Sequence, residues 1–228
     1  MIYFIKGGLG NQIFQFAHAI ESNHSRITFN TSLLSKYAMP RNFELAFYFD
    51  LVKNKRINVT DQEYTRSGWL EKSASMFNGV PIIPYRCGYF QDITISDNIL
   101  HKLRQAYLFS DVVEYRGSDL LIHLRLRDFE RGDYVSMLGD AIRRINFSTY
   151  QNIFYSTDSS VLPEGLRFIE SEAQKTDIDF SKPRYFRAIF SPCSTFSLWY
   201  GLILGSEVLH PVQLRQHAPW ESELVSFI

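Results

Sequence analysis

Hydrophobic positions along the chain alternate between two periods. Ile2 to Ile5 form an unbroken β-branched and aromatic run that glycines stop, and from Asn11 to Glu21 the apolar residues Ile13, Phe14, Phe16, Ala17 and Ile20 recur at helical spacing. The pattern predicts a strand, a glycine turn and a helix. Ser25 to Asn30 predicts a second strand. From Thr31 to about Asn58 the pattern is mixed, and Phe43, Leu45, Phe47, Phe49 and Leu51 alternate with the period of a strand. Pro81, Pro84 and Gly88 punctuate the next stretch. Ser96 to Phe109 then sets Ile99, Leu103, Ala106 and Tyr107 on one helix face, with Ser96 or Asp97 as N-cap.

Leu120 to Leu124 is apolar except for His123, as in a parallel strand buried on both faces. A helix is predicted from about Tyr134 to Ile145, a strand over Asn152 to Ser156, a strongly apolar helix over Thr195 to Leu204 and a short strand over Val208 to His210. Strands alternate with helices, which predicts an α/β protein with parallel sheets. The 228 residues suit one large domain or two small ones. The sequence carries no internal repeat or low-complexity tract.

Apolar residues make up 45% of the chain, enough for a packed core and too many for a disordered segment. Basic and acidic residues balance at 24 each, so no global field recruits nucleic acid or an anionic membrane, and any anion site must be local. Cys87 and Cys193 lie far apart without a CxxC spacing, which reads as free thiols rather than a metal site or disulfide framework. The apolar run at the N-terminus is too short for a signal peptide core, and no run reaches the roughly 18 residues of a membrane span. A cytoplasmic protein without a transmembrane segment is expected, with docking at the inner-membrane surface left open.

Four segments carry candidate chemistry, and a fifth, Asp177-Ile178-Asp179, is weighed beside them. Gly7-Gly8-Leu9-Gly10-Asn11-Gln12 joins a strand to a helix N-terminus, where free N–H groups and the helix dipole favour an anion; a tight turn needing positive φ is the competing account. It is not a P-loop, and Ile13 takes the third glycine position of GxGxxG. His123-Leu124-Arg125-Leu126-Arg127-Asp128 closes the buried strand, where open α/β sheets bind ligands, and its guanidinium forks suit a diphosphate. Alternation would place His123, Arg125 and Arg127 on one side and Leu124, Leu126 and Asp128 on the other. A surface arginine–aspartate pair is the competing account. In Tyr155-Ser156-Thr157-Asp158, the acid could accept from a base or ribose, or cap a helix. Ser191 to Ser197 is a hydroxyl-rich turn opening the apolar helix, a second anion site or a simple cap. Asp177-Ile178-Asp179 has the DxD form of a divalent-metal site but sits in a charged loop with no strand leading into it.

These segments, in this order, resemble those of the bacterial α-1,2-fucosyltransferase family, which carries a GGLGNQ-type N-terminus, HxRRxD, an FSDD-like segment and an SSTFSWWG-like segment. Here they read GGLGNQIFQFA, HLRLRD, YSTDSS and SPCSTFSLWYG, with 31–115 nearly unrecognisable. The resemblance implies two Rossmann-like domains facing a cleft (GT-B type), 1–115 on the acceptor side and 116–228 binding GDP. It also implies metal-independent, inverting transfer of fucose from GDP-fucose to a glycan hydroxyl, the acceptor belonging to bacterial surface polysaccharide such as O-antigen and being lipid-linked or free. By it, Arg125 binds the β-phosphate with His123 beside it, Asp158 meets the guanosine, and Ser194, Thr195 and Ser197 line the phosphates; Arg127, which the family lacks, is expected from the residues as a substitute charge at the diphosphate. Asn11 faces the reaction centre, with Gly8 and Gly10 forming its turn. Leu126 stands where the family has a second arginine and Arg127 where it has glycine, while Glu130-Arg131-Gly132-Asp133-Tyr134 offers an alternative alignment. The catalytic base is not identified, with His18, Asp92 and Glu21 as loose candidates. A transferase for another GDP- or UDP-sugar and a catalytically silent glycan- or nucleotide-binding protein are the alternatives.

Overall fold

The computed structural model describes residues 1–36, 41–53, 56–61, 76–77, 80–81, 85–87, 91, 93–112, 117–127, 132–217 and 225–228. The chain divides into two compact units, Met1–Ile93 and Thr94–Ile228.

In the first unit, β1 (Ile2–Phe4) runs into Gly7, whose φ of 75° is a left-handed conformation that glycine adopts without steric cost. Helix α1 (Leu9–Glu21) follows and buries Ile13, Phe14, Phe16, Ala17 and Ile20. It is joined by β2 (Ile27–Asn30), the short helix α2 (Leu45–Tyr48), β3 (Ile57–Thr60), a hairpin of β4 (Met76–Phe77) and β5 (Val80–Pro81), and β6 (Tyr85–Cys87). Among the described residues the main sheet has the order β3-β2-β1-β6, all parallel. The alternating stretch from Phe43 to Leu51 is not a strand. It turns through α2, which buries Leu45 and leaves Phe47 71% exposed, and the C-cap residue Phe49 is buried just beyond it. Its apolar spacing of four serves a helical turn as well as a strand, and tertiary packing selects between them.

The second unit begins with α3 (Asp97–Ala106), whose N-cap Ser96 accepts a hydrogen bond from the Ile99 N–H at 3.3 Å. The predicted boundary at 115/116 would have left this helix with the first half. It packs instead on the last helix of the second unit, where Arg104 donates to the carbonyls of Leu202 (2.7 Å) and Ile203 (3.0 Å). The chain continues through β7 (Leu120–Leu124), α4 (Gly132–Arg143), β8 (Ile153–Thr157), α5 (Phe168–Glu172), β9 (Gln174–Lys175), β10 (Ala188–Phe190), α6 (Thr195–Leu204), β11 (Glu207–His210) and β12 (Val225–Phe227). β7 and α6 have the predicted bounds. β10 was not predicted, because a three-residue apolar run has no period of its own.

The described strands form one parallel sheet in the order β12-β11-β10-β7-β8-β9. Numbered within the unit, that order is 3-2-1-4-5-6 read from the β9 edge, the doubly wound arrangement. The protein is thus a mixed α/β chain with parallel sheets, compatible with a Rossmann-like fold. One face of the sheet packs Leu120, Ile122, Leu124 and Leu126 against Tyr134, Leu138, Ala141 and Ile142 of α4. On α6, Gly201 lies so close to the sheet that a Cβ there would come within 2.8 Å of Val208 Cγ2. Its other neighbours, Trp199 and Tyr200, are fully buried. Among the described residues, no helix is long and apolar enough to cross a membrane.

Candidate functional site

A sheet with this strand order opens a crevice beyond the carboxyl ends of its strands at the point where the order reverses, here between β7 and β10. Ile122 pairs with Phe190 and Leu124 with Thr157. Continuing both registers brings Arg125, Asp158 and Cys193 to one level at the same end of the sheet, followed at once by the start of α6.

Burial alternates through this end as the sequence predicts. His123 and Arg125 are half-buried, Leu124 and Leu126 are in the core, and Arg127 is exposed. Asp128 and Arg131 lie outside the described residues, so the alternative alignment through 130–134 is represented only by its last three positions, at the start of α4. Leu126, at 1% exposure, is enclosed by the α4-facing core. An arginine in that place would bury a charge in an apolar cluster, which costs several kcal/mol unless it is paired. The position where the resemblance would set a second arginine is thus filled by core packing.

The His123 ring lies 6.4 Å from that of Phe196 in the first turn of α6, and its Nδ1 is buried without a hydrogen-bond partner. Burial lowers its pKa to about 4, with the Asp158 carboxylate opposing the shift and the Arg125 guanidinium adding to it. At neutral pH the imidazole is uncharged. Any positive charge offered to a ligand here comes from Arg125, whose guanidinium lies close enough to act on His123, Tyr134 and Cys193 together. Because unfolded histidine takes up a proton near 6.5 and folded His123 only near 4, the unfolded chain binds the extra proton between those values. Stability is then fully present above about 6.5 and lost as pH falls toward 4, by about 3 kcal/mol in all. Urea denaturation at pH 7.5, 5.5 and 4.5 should show this loss in the wild type and a smaller one in His123→Asn; equal losses would show that His123 is not the group responsible.

One oxygen of Asp158 is taken by the chain itself. Its Oδ1 accepts from the N–H groups of Leu126 (2.7 Å) and Arg127 (3.2 Å), clamping the loop that follows β7. Tyr134 on α4 donates to the Arg125 carbonyl at 3.4 Å. The backbone of the Arg125 segment is thus held from two elements.

The serines at the start of α6 hold the turn itself. Ser194 caps the helix, its Oγ accepting from the Ser197 N–H at 3.4 Å. The Ser191 and Ser197 hydroxyls share a hydrogen bond of 2.7 Å, and both approach the Ser194 carbonyl. All three serines and Thr195 are buried. Cys193 adopts a left-handed backbone (φ 51°), which a non-glycine residue rarely does, and burial pushes its thiol up to about 11. Behind the turn, buried His210 donates from Nδ1 to the Ser191 carbonyl at 2.8 Å. From the sequence, Ser191 and Cys193 stand in the hydroxyl-rich turn and Tyr134 ends the alternative motif, but none of them receives a role of its own in the site, and no local signal marks His210.

In the first unit, Gly8 caps α1 without a side-chain hydrogen bond, space around its Cα is open, and Gly10 is buried in the first helical turn. The carboxyl of Glu44 faces the Leu9 N–H, and burial raises its pKa against the pull of Arg41 and that N–H. A carboxylate already at the helix start would repel a phosphate, so the glycine turn is no obvious anion cradle. Gln12 is fully buried and clamps the turn: Nε2 donates to the carbonyls of Gly7 (3.1 Å) and Asn42 (2.8 Å), and Oε1 accepts from the Glu44 N–H (3.0 Å). Gln15 does the same for Lys6. Asn11 is half-exposed and accepts from Gln91 Nε2 at 2.6 Å. His18, bonded to Tyr3 Oη at 2.9 Å, and Glu21 sit toward the far end of α1, on the order of 10 Å from Asn11 at the helical rise per residue. Asp92 lies outside the described residues. In the DxD segment, Asp179 accepts from the Ser181 N–H and Oγ at 2.7 and 2.8 Å, closing a local turn. Among the described residues, no group of three or more histidine, cysteine, aspartate and glutamate side chains is placed to hold a metal.

Compared with known proteins, the chain matches no family model, no curated protein and no solved structure.

Proposed function

We propose that this chain is a glycosyltransferase that moves fucose from GDP-fucose, with inversion, to a hydroxyl of a glycan acceptor. In this reading the two units are the Rossmann-like halves of a GT-B enzyme, and the second unit carries the donor. The observation that carries it is the position of Arg125 at the carboxyl end of the first strand of a 3-2-1-4-5-6 sheet, level with the Ser194-capped start of α6. A guanidinium and a helix N-terminus together suit a departing nucleoside diphosphate, whose negative charge grows in the transition state. His123, uncharged, contributes a hydrogen bond and excludes water. Asp158 positions the loop, so its clamp on Leu126 and Arg127 fixes where the Arg125 side chain starts. Asn11 orients but does not take the acceptor proton, since an amide is not basic.

Burial of Leu126 in place of a second arginine favours a second reading, a nucleotide binder that has lost transfer. Thermal shift with GDP, GDP-fucose, GDP-mannose and UDP-glucose decides between donors, because only a nucleotide bound by the folded state raises the melting temperature. GDP and GDP-fucose should stabilise by about 2.7 kcal/mol at a hundred times their dissociation constants, and UDP-glucose should not. Stabilisation by no nucleotide would sink both readings, and GDP binding without hydrolysis or transfer would favour the silent one.

A further inference from the structure

The first unit holds a cavity of about 330 Å³ beyond the carboxyl ends of β2 and β3, bordered by Thr31, Ser32, Ser35, Arg41, Phe43 and Asp61. Its size falls at the lower end of small-molecule sites. The hydrogen bonds behind its wall decide what it can recognise. Thr31 Oγ1 donates its proton to the Thr60 carbonyl (3.2 Å), Ser35 Oγ donates to the Ser32 carbonyl (3.2 Å), and Ser32 Oγ donates to Oδ1 of buried Asn30 (2.6 Å). Each hydroxyl has spent its single donor on the protein, so each can offer a ligand only acceptor lone pairs. The Asp61 carboxylate is a fourth acceptor. Arg41 brings donors, and Arg41 and Asp61 border the cavity without forming an ion pair with each other. The Phe43 ring stands edge-on to Phe29, with centroids 6.5 Å apart, which fixes its orientation at the cavity wall.

Four acceptors, the Arg41 fork, the Asn42 amide and an aromatic wall complement a ligand that is rich in O–H donors and has an apolar C–H face. A phosphate, which is anionic and presents mostly acceptor oxygens at neutral pH, meets the wrong chemistry at the three hydroxyls and at the Asp61 carboxylate. We infer that this cavity is a binding site for a neutral polyhydroxyl sugar. As a sugar site it stands on the hydrogen bonds above; as the acceptor subsite of the transferase it rests on the proposed function.

The test is calorimetry and saturation-transfer NMR on the whole chain, with a panel of neutral hexoses, N-acetylhexosamines and their disaccharides, and with inorganic phosphate. At least one sugar should bind. Asp61→Ala should weaken it tenfold or more, and Asp61→Asn, which keeps an acceptor, should weaken it less. Asp61 and Arg41 are exposed, so equal melting temperatures are expected of their variants. No sugar bound by the wild type, or equal affinity in Asp61→Ala, overturns the inference, as does phosphate binding that Arg41→Ala abolishes. GDP titrated into the same protein reads the donor proposal separately. Sugar binding without GDP binding keeps this inference and removes that proposal; GDP binding without sugar binding does the reverse.

Discussion

Under the proposed function, replacing Arg125 with alanine should leave the fold intact and lower transfer from the nucleotide sugar by about a hundredfold or more. The side chain is half-buried just beyond β7, outside the apolar cluster that Leu124 and Leu126 share with α4, so its truncation opens no cavity in that core. The expected loss is on the order of 3 kcal/mol of transition-state stabilisation, the amount that one preorganised charged donor supplies at a developing anion. With Leu126 buried, no second guanidinium is at hand from that position, and exposed Arg127 is the nearest substitute. Arg125→Lys keeps the charge but not the fork and should recover only part of the rate. Steady-state kinetics with donor binding alongside checks this: near-normal turnover in Arg125→Ala removes it as the diphosphate anchor. An independent readout is the Cys193 thiol, which Arg125 holds down against burial. In Arg125→Ala the thiol should titrate higher and react more slowly with a thiol reagent, whatever the substrate proves to be.

The largest effect on stability is expected at the opposite end of the same strand. Asp119, just before β7 and 1% exposed, pairs with Arg184 Nη2 at 2.9 Å and accepts from Asn152 Nδ2 at 2.8 Å. The guanidinium also stacks over Phe154, 3.9 Å from its centroid, and 5.1 Å from that of Phe186. Tyr200 on α6 accepts from the Arg184 N–H and donates to its carbonyl. Removing the arginine leaves a buried carboxylate with only an amide for company. Arg184→Ala should therefore cost about 3 to 5 kcal/mol, seen as a lower urea midpoint. The double variant Asp119→Asn with Arg184→Met should recover much of that loss, because the buried charge and its partner go together. Additive costs would show that the two side chains do not interact. The pair lies away from the switch-point end, so surviving folded protein should keep its donor affinity.

These two sites differ in how visible they are in the sequence. The run from Leu120 to Leu124 marks a buried strand, since five mostly apolar residues in a row leave few other solutions, and Arg125 is then placed at its carboxyl end by chain order alone. Asp119 and Arg184 carry no such sign. They are far apart along the chain, each an ordinary charged residue in its own neighbourhood, and their meeting depends on β10 lying beside β7. β10 itself is three residues long, too short to show a period.

Local pattern determined β1, α1, α3, β7, α4 and α6 to within a few residues, because strand and helix periods, glycine stops and a serine cap act over one or two turns. It also determined that an arginine would follow β7 and a hydroxyl-rich turn would open α6. Only the tertiary structure decided what those groups do. Strand order brought Arg125, Asp158 and Cys193 to one level, burial took the charge from His123, and the Ser191 and Ser197 hydroxyls bonded to each other and to the Ser194 carbonyl of the turn. Glu44 took the start of α1, and the wall beyond β2 and β3 was left offering acceptors. Each outcome depends on which distant group arrives within hydrogen-bond reach and on how much water is excluded when it does. A periodicity measured along the chain contains neither quantity.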